Sequence, residues 1–137
     1  MKILLVDDEI LSLKLLEEML SPLECNIIKA MDGQMALSIL KENLDTDLIV
    51  LDILMPDING FELCSIIKSD NRLKNIPVIL VTALADEANQ LKGLRYGISD
   101  YITKPITPDI LKTKINNQLL LKKPIELWKT AKRFPAH

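Results

Sequence analysis

The sequence predicts an α/β fold: a doubly wound sheet of five parallel strands in the order 2-1-3-4-5, accompanied by five helices. Five short runs rich in Ile, Val and Leu recur along the chain, at Ile3–Val6, Cys25–Lys29, Leu48–Leu51, Val78–Val81 and Ser99–Ile102. Amphipathic segments of helical length separate them, so β and α elements alternate. The third and fourth runs, LIVL and VILV, show no polar alternation, the mark of strands covered on both faces of a parallel sheet.

The helices carry their own signals. Glu9–Leu20 sets Lys14, Glu17, Glu18 and Ser21 on one side and Leu13, Leu16 and Leu20 on another, and Pro22 closes it. Gly33–Glu42 puts Met35, Ala36, Ile39 and Leu40 in similar register, and Gly60–Lys68 offers Leu63 and Ile67 to the core. A fourth helix, Asp86–Tyr96, offers Ala88, Leu91 and Leu94 before Gly97 as its C-terminal stop. The fifth starts at TPDI, with Thr107 as N-cap, Pro108 at the first helical position and Asp109 in the positive first turn. The pattern ends near Pro124, which divides the chain into a body, residues 1–121, and a basic tail or linker, residues 122–137. There, Ile125, Leu127 and Trp128 form a small apolar group.

Composition narrows the function. A chain of 137 residues that is 48% hydrophobic and 26% charged fits one domain with its own core. The body carries 12 Lys/Arg and 18 Asp/Glu, a net of −6, whereas the tail carries five and one, a net of +4. An acidic body argues against direct nucleic-acid binding, which demands a basic footprint. Cys25 and Cys64 lie far apart in apolar surroundings, so no disulfide framework or CxxC site is expected, and both read as small core hydrophobes. MKILLVDDE is too short an apolar start for a signal peptide and no run reaches membrane-spanning length, so a reduced cytoplasmic setting is expected and no membrane partner. The glycines form neither GxGxxG nor a P-loop, which disfavours nucleotide binding.

In a doubly wound sheet, ligands bind beyond the carboxyl ends of the strands where the strand order reverses, here between strands 1 and 3. Strand 1 ends in Asp7 and Asp8 and strand 3 in Asp52; strands 4 and 5 deliver Thr82 and Lys104 to the same rim. Two carboxylates about 4 Å apart repel by roughly 4 kcal/mol at an effective dielectric of 20, so such a group wants a cation. Hard carboxylate oxygens with no histidine nearby suit Mg²⁺, which keeps positions open for water and phosphate oxygen. Lys104 and the Thr82 hydroxyl then supply a charge and a hydrogen bond for phosphoryl oxygens. These residues suit the placing of a phosphoryl group on one of the aspartates. Taken singly, Asp7 and Asp8 also read as caps of the first helix, Lys104 as a solvated surface lysine and Thr82 as an ordinary strand residue.

ILLVDDE, LIVLDILMPDINGFEL, VILVTA and DYITKP stand in one order along residues 2–121, and together they resemble the receiver domains of two-component response regulators, whose fold is that of the chemotaxis regulator CheY. The resemblance implies that Asp52 is the phosphoacceptor and that Asp7, Asp8, Asp52 and the backbone carbonyl of Leu54 hold Mg²⁺. It implies that Thr82 contacts the phosphoryl group, that Lys104 pairs with it and that the Lys104–Pro105 bond is cis. Tyr101 stands at the family's aromatic switch position, its ring turning inward as Thr82 moves and so changing the surface of helix 4, strand 5 and helix 5. The implied partners are a sensor histidine kinase or phosphotransfer protein and an output domain or partner protein, with homodimerisation through helices 4 and 5 left open. Such a chain is a phosphoacceptor switch, not a turnover enzyme. Leu54 and Leu84 lie two residues after Asp52 and Thr82, where family members with polar side chains orient the hydrolytic water, so a slow loss of phosphate is expected.

Two other classes compete. An aspartate-nucleophile phosphohydrolase also uses Mg²⁺, but places its nucleophile on the first strand in a DxD pattern that VDDE does not match. A receiver-like module that binds without phosphorylation tends to lose an acid or the lysine, and this chain has kept them all.

Overall fold

A computed structural model describes residues 1–83 and 92–122. The expectations for Leu84, Ala88, Leu91 and the tail from residue 123 onward, with Ile125, Leu127 and Trp128, lie outside the described residues.

Five strands form one parallel sheet in the order β2-β1-β3-β4-β5: β1 Lys2–Val6, β2 Asn26–Ala30, β3 Leu48–Asp52, β4 Val78–Thr82 and β5 Asp100–Thr103. The helices are α1 Ile10–Leu20, α2 Gly33–Glu42, α3 Gly60–Ser69 and, last in the chain, α5 Pro108–Lys122. Residues 92–95 are helical and fall at the end of the fourth helix the sequence predicts, called α4 here. Strands β2 and β5 begin one residue later than the apolar runs suggest, although Ser99 N–H already donates to Val78 O at 2.8 Å. Among the described residues no helix is long and apolar enough to cross a membrane.

Period-two alternation builds the core twice over. On one face of the sheet Ile3, Leu5, Leu48, Val50, Ile79 and Val81 pack with Leu13, Leu16 and Leu20 of α1 and with Leu111 and Ile115 of α5. On the other, Leu4, Val6, Ile49, Leu51, Val78 and Leu80 pack with residues of α2 and α3, among them Ala36, Leu40, Leu63 and Ile67. All five residues of β3 and all five of β4 are buried, which is why neither strand shows polar alternation. Each fully buried aliphatic side chain contributes about 2 kcal/mol relative to exposure, so these strands are the most firmly held parts of the sheet.

Local signals set the element ends. Asp32 caps α2, accepting from Met35 N–H at 2.7 Å, and Asn59 caps α3, accepting from Glu62 N–H at 2.9 Å. Thr107 Oγ1 accepts from Ile110 N–H at 3.3 Å at the start of α5. After α1 the chain makes a 3-10 turn at Ser21–Leu23 and leaves it through Glu24 at φ 50, and Gly97 at φ 86 follows α4. Two residues expected to face the core do not: Met35 is 47% exposed and Leu94 is 66% exposed. At α4 the core contacts come instead from Tyr96, whose ring lies 5.8 Å from Phe61, and from Gly93, whose missing side chain admits Ile98.

Gly60 governs how closely α3 approaches the end of β3. Its N–H donates to Ile53 O at 2.7 Å, and a Cβ there would stand 2.6 Å from Asp52 O and 2.8 Å from Ile53 Cα. Both neighbours are backbone and cannot swing aside. Gly60→Ala is therefore expected to destabilise the fold by about 2 kcal/mol, read as a lower urea midpoint; an unchanged midpoint would show that the helix can back away freely.

Candidate functional site

Parallel pairing brings four strand ends to one rim. Asp7 directly follows β1, and its N–H donates to Ala30 O at 3.1 Å, which prolongs the pairing with β2. Asp52 is the last residue of β3 and pairs with Val81, so Thr82 stands one residue further along the neighbouring strand. Thr82 pairs with Thr103, and Lys104 N–H donates to Thr82 O at 2.8 Å. Asp7, Asp52 and Thr82 are buried, and Asp8 is exposed at the mouth.

One carboxylate oxygen from each of Asp7, Asp8 and Asp52 lies within 4.8 Å of the others. Lys104 Nζ stands 3.5 Å from Asp52 Oδ2 and 3.9 Å from Asp7 Oδ2, an ion-pair separation to both without a close hydrogen bond to either. Burial pushes the Asp52 carboxyl above its ordinary range, although Lys104 and the N–H groups of Leu54 and Ile53 pull the other way. Asp7 is likewise raised, first by burial and further by the charges of Asp52 and Asp8, against the Glu9 N–H and Lys104. A single ammonium group thus offsets only part of the cost of two buried carboxylates.

Asp7 does not cap α1 as its isolated reading allowed: its Oδ1 accepts from Glu9 N–H at 3.0 Å, in the turn ahead of the helix, and α1 starts at Ile10 with Glu9 as N-cap and no side-chain cap. Tyr101 is half-buried on β5 in register with Leu80 and packs against the cluster under α2 and α3. The Lys104–Pro105 peptide is cis. Leu54 is 60% exposed, and its N–H is directed to the Asp52 carboxylate. Beside the acids a cleft of about 190 Å³ runs between α1 and the start of the β5–α5 loop, walled by Leu15, Leu16, Met19 and Ile106 and ended by Asp7 and Lys104.

Three residues that shape the site were not singled out from the sequence. Asn59 and Glu62 form a reciprocal cap, with Asn59 Nδ2 donating to Glu62 Oε1 at 2.9 Å, and their three-residue spacing is a legible signal. Asp57 accepts from Gly33 N–H at 3.1 Å and Gln34 N–H at 3.0 Å, partners 24 and 23 positions away that no local pattern reveals. The donors hold its carboxyl below the usual range.

The three acids offer hard oxygen ligands only, a donor set that fits Mg²⁺ better than a soft or imidazole-seeking metal. The family profile for the response regulator receiver domain matches residues 3–116. The probable transcriptional regulator ycf27 of Porphyridium aerugineum is 38% identical over 86% of this chain and 48% of its own length. Chemotaxis protein CheY1 of Helicobacter pylori strain J99 is 36% identical over 84% of this chain and 94% of its own, and response regulator PleD of Caulobacter vibrioides strain NA1000 is 38% identical over 85% and 25%. The chain thus spans about half the length of the ycf27 regulators it matches. Among solved structures, a response regulator receiver domain protein from Clostridium thermocellum superposes with a TM-score of 0.83 at 29% identity, covering 90% of this chain and 98% of that one. The BeF3-activated DrrB receiver domain superposes at 0.74 with 35% identity, covering 86% and 96%.

Raised carboxyl pKa values have a consequence for stability. The folded chain keeps protons that the unfolded chain has already released, so ionised Asp52 costs stability at pH above its folded value, and that cost disappears below about 4, the unfolded carboxylate range. Asp52→Asn is expected to stabilise the metal-free protein by about 1 kcal/mol at neutral pH, the gain shrinking as pH falls toward 4. Melting curves of both proteins in EDTA across that range check it; a variant less stable than wild type at pH 7 would contradict the reading of the cluster.

Proposed function

The chain belongs to the response-regulator receiver family, and from that premise we propose that it is a switch operated by phosphorylation of Asp52. Receiver domains of this family signal with histidine kinases and output domains. The observation that carries the proposal is the convergence of Asp7, Asp8 and Asp52 within 4.8 Å, with Lys104 Nζ 3.5 Å from Asp52.

Asp52 is the nucleophile. It is the last residue of a strand buried throughout, and of the two buried acids it stands nearer to Lys104, 3.5 Å against 3.9 Å for Asp7. One of its carboxylate oxygens forms the new O–P bond as the bond from phosphorus to the donor's leaving group, an imidazole nitrogen in a phosphohistidine, breaks. Asp7, Asp8, Asp52 and the Leu54 carbonyl would hold Mg²⁺, which when bound supplies positive charge to the phosphoryl oxygens. Lys104 pairs with one of those oxygens and orients the group. The Thr82 hydroxyl hydrogen-bonds another, and its displacement toward the phosphoryl group lets the Tyr101 ring move inward and alters the surface of α4, β5 and α5. Exposed Ile10, Leu11 and Leu15 on α1, beside the cleft, give the phosphodonor an apolar contact. The activated form of the related DrrB receiver, obtained with BeF3, supports a phosphoryl-triggered state.

An output function lies with a partner or a further domain, and the basic tail is the segment through which it would be joined. The alternative, a hydrolase that turns phosphate over, is disfavoured by hydrophobic Leu54 two residues after Asp52, the position from which a polar side chain would orient water. For the same reason the phosphorylated state is long-lived.

Incubation with Mg²⁺ and acetyl phosphate is expected to add about one phosphoryl group per chain, with none in EDTA, none in Asp52→Asn and a large loss of rate in Lys104→Ala. Replacing Leu54 and Leu84 together with polar residues is expected to shorten the phosphorylated lifetime about tenfold, followed by mass spectrometry of intact protein over time. Continued release of phosphate by the wild type beyond one equivalent, or no incorporation at all, would overturn the switch reading.

A further inference from the structure

The loop between β3 and α3 packs Ile53, Met55 and Ile58 on the core cluster beneath α2 and α3 and is held besides by hydrogen bonds at two places, one of which reaches another element. Gly60 N–H donates to Ile53 O at 2.7 Å and closes the loop on itself. Between these, the Asp57 carboxylate accepts from Gly33 N–H at 3.1 Å through Oδ1 and from Gln34 N–H at 3.0 Å through Oδ2. Gly33 and Gln34 are the first two residues of α2, whose third N–H, on Met35, is taken by Asp32. The first turn of α2 therefore meets two carboxylates, its own cap and one supplied by the loop beside the phosphoacceptor. The fit is close: a Cβ at Gly33 would stand 3.1 Å from Ile58 Cβ and 3.4 Å from Asp57 Oδ2. Oriented N–H donors at a helix N-terminus hold an anion well even where water has access.

From this geometry we propose that Asp57 is a positioning residue for the cation and phosphoryl site: its carboxylate staples the β3–α3 loop to the first turn of α2 and so fixes the backbone of Leu54. The inference rests on the reading of Leu54 O as a ligand and goes beyond it. Leu54 is the member of that set that offers a backbone carbonyl, and it stands two residues beyond β3; Asp52 ends that strand, Asp7 directly follows β1, and Asp8 lies one residue further into the turn before α1. The Leu54 side chain is 60% exposed and does not anchor itself, so its backbone is placed by the packing of Ile53 and Met55 on either side and by the bonds that hold the rest of the loop. A residue that touches neither cation nor phosphoryl group thus controls how well the site is formed before either arrives.

The test is a calorimetric titration of the metal-free protein with MgCl2, without phosphodonor, on wild type, Asp57→Ala, Asp57→Asn and Asp32→Ala. Asp57→Ala is expected to bind about tenfold more weakly, and Asp57→Asn, which keeps one acceptor oxygen, in between. Asp32→Ala removes the other cap of α2 without touching the loop, so it is expected to lower the melting temperature and leave Mg²⁺ affinity at the wild-type value. In acetyl phosphate assays the Asp57→Ala defect is expected in the Mg²⁺ concentration for half-maximal rate and to recede at saturating Mg²⁺. Wild-type affinity in Asp57→Ala, or an equal loss in Asp32→Ala, would overturn this inference alone. No Mg²⁺ binding by the wild type would overturn it together with the reading of the site on which it rests. Should Asp57→Ala not fold, the comparison of Asp57→Asn with Asp32→Ala decides in the same way.

Discussion

The crowding of three carboxylates at the ends of two neighbouring strands is the constraint from which the rest of this structure follows. Left to themselves Asp7, Asp8 and Asp52 would move apart, because like charges within 4.8 Å repel by several kcal/mol once water is partly excluded. They stay together because β3 is buried along its whole length and β1 from Ile3 onward. The core on either face fixes the strand ends, and the strand ends fix the acids. The stabilisation of those aliphatic side chains offsets an electrostatic penalty at the rim, and the penalty is what gives the site its demand for positive charge.

Lys104 meets that demand only in part. It stands at ion-pair distance from both buried acids, yet their carboxyls remain raised above the ordinary range. A fully compensated cluster would be inert; this one retains a deficit that a cation or a phosphoryl-bearing complex can fill. The surrounding loops follow the same logic. Gly60 lets α3 close against the end of β3, and Asp57 draws the intervening loop onto α2, so flexible backbone beside the acids is held at both flanks. Rigidity is concentrated where the chemistry needs position.

Much of this was legible in the sequence because its cause is local or periodic. Runs such as LIVL and VILV announce strands covered on both faces, and the residue ending each run names the rim, so Asp7, Asp52, Thr82 and Lys104 follow from counting. Thr107 and Gly97 carry turn and cap chemistry in their own identities. What was not legible depends on contacts distant in sequence. Asp57 is an unremarked loop acid until the fold sets it against Gly33, and Leu94 matches a helical stripe that Gly93 and Tyr96 actually supply, because close approach of Ile98 requires the residue without a side chain. Met35 stays exposed because the buried stripe of α2 runs through Gly33, Ala36 and Leu40, with Leu37 beside it, and Met35 falls outside that stripe. The proposal that Thr82 and Tyr101 move as a pair rests on the family resemblance, carried by VILVTA and DYITKP.

The central claim is that β3 presents Asp52, and not the equally acidic neighbours at the end of β1, as the phosphoacceptor. Trapping decides it: wild-type protein is loaded from acetyl phosphate in Mg²⁺, the acyl phosphate is reduced with borohydride, and peptides are sequenced by mass spectrometry. Homoserine at position 52, with Asp7 and Asp8 intact, is the predicted result. Homoserine at position 7 or 8, or at neither strand end, would contradict the account.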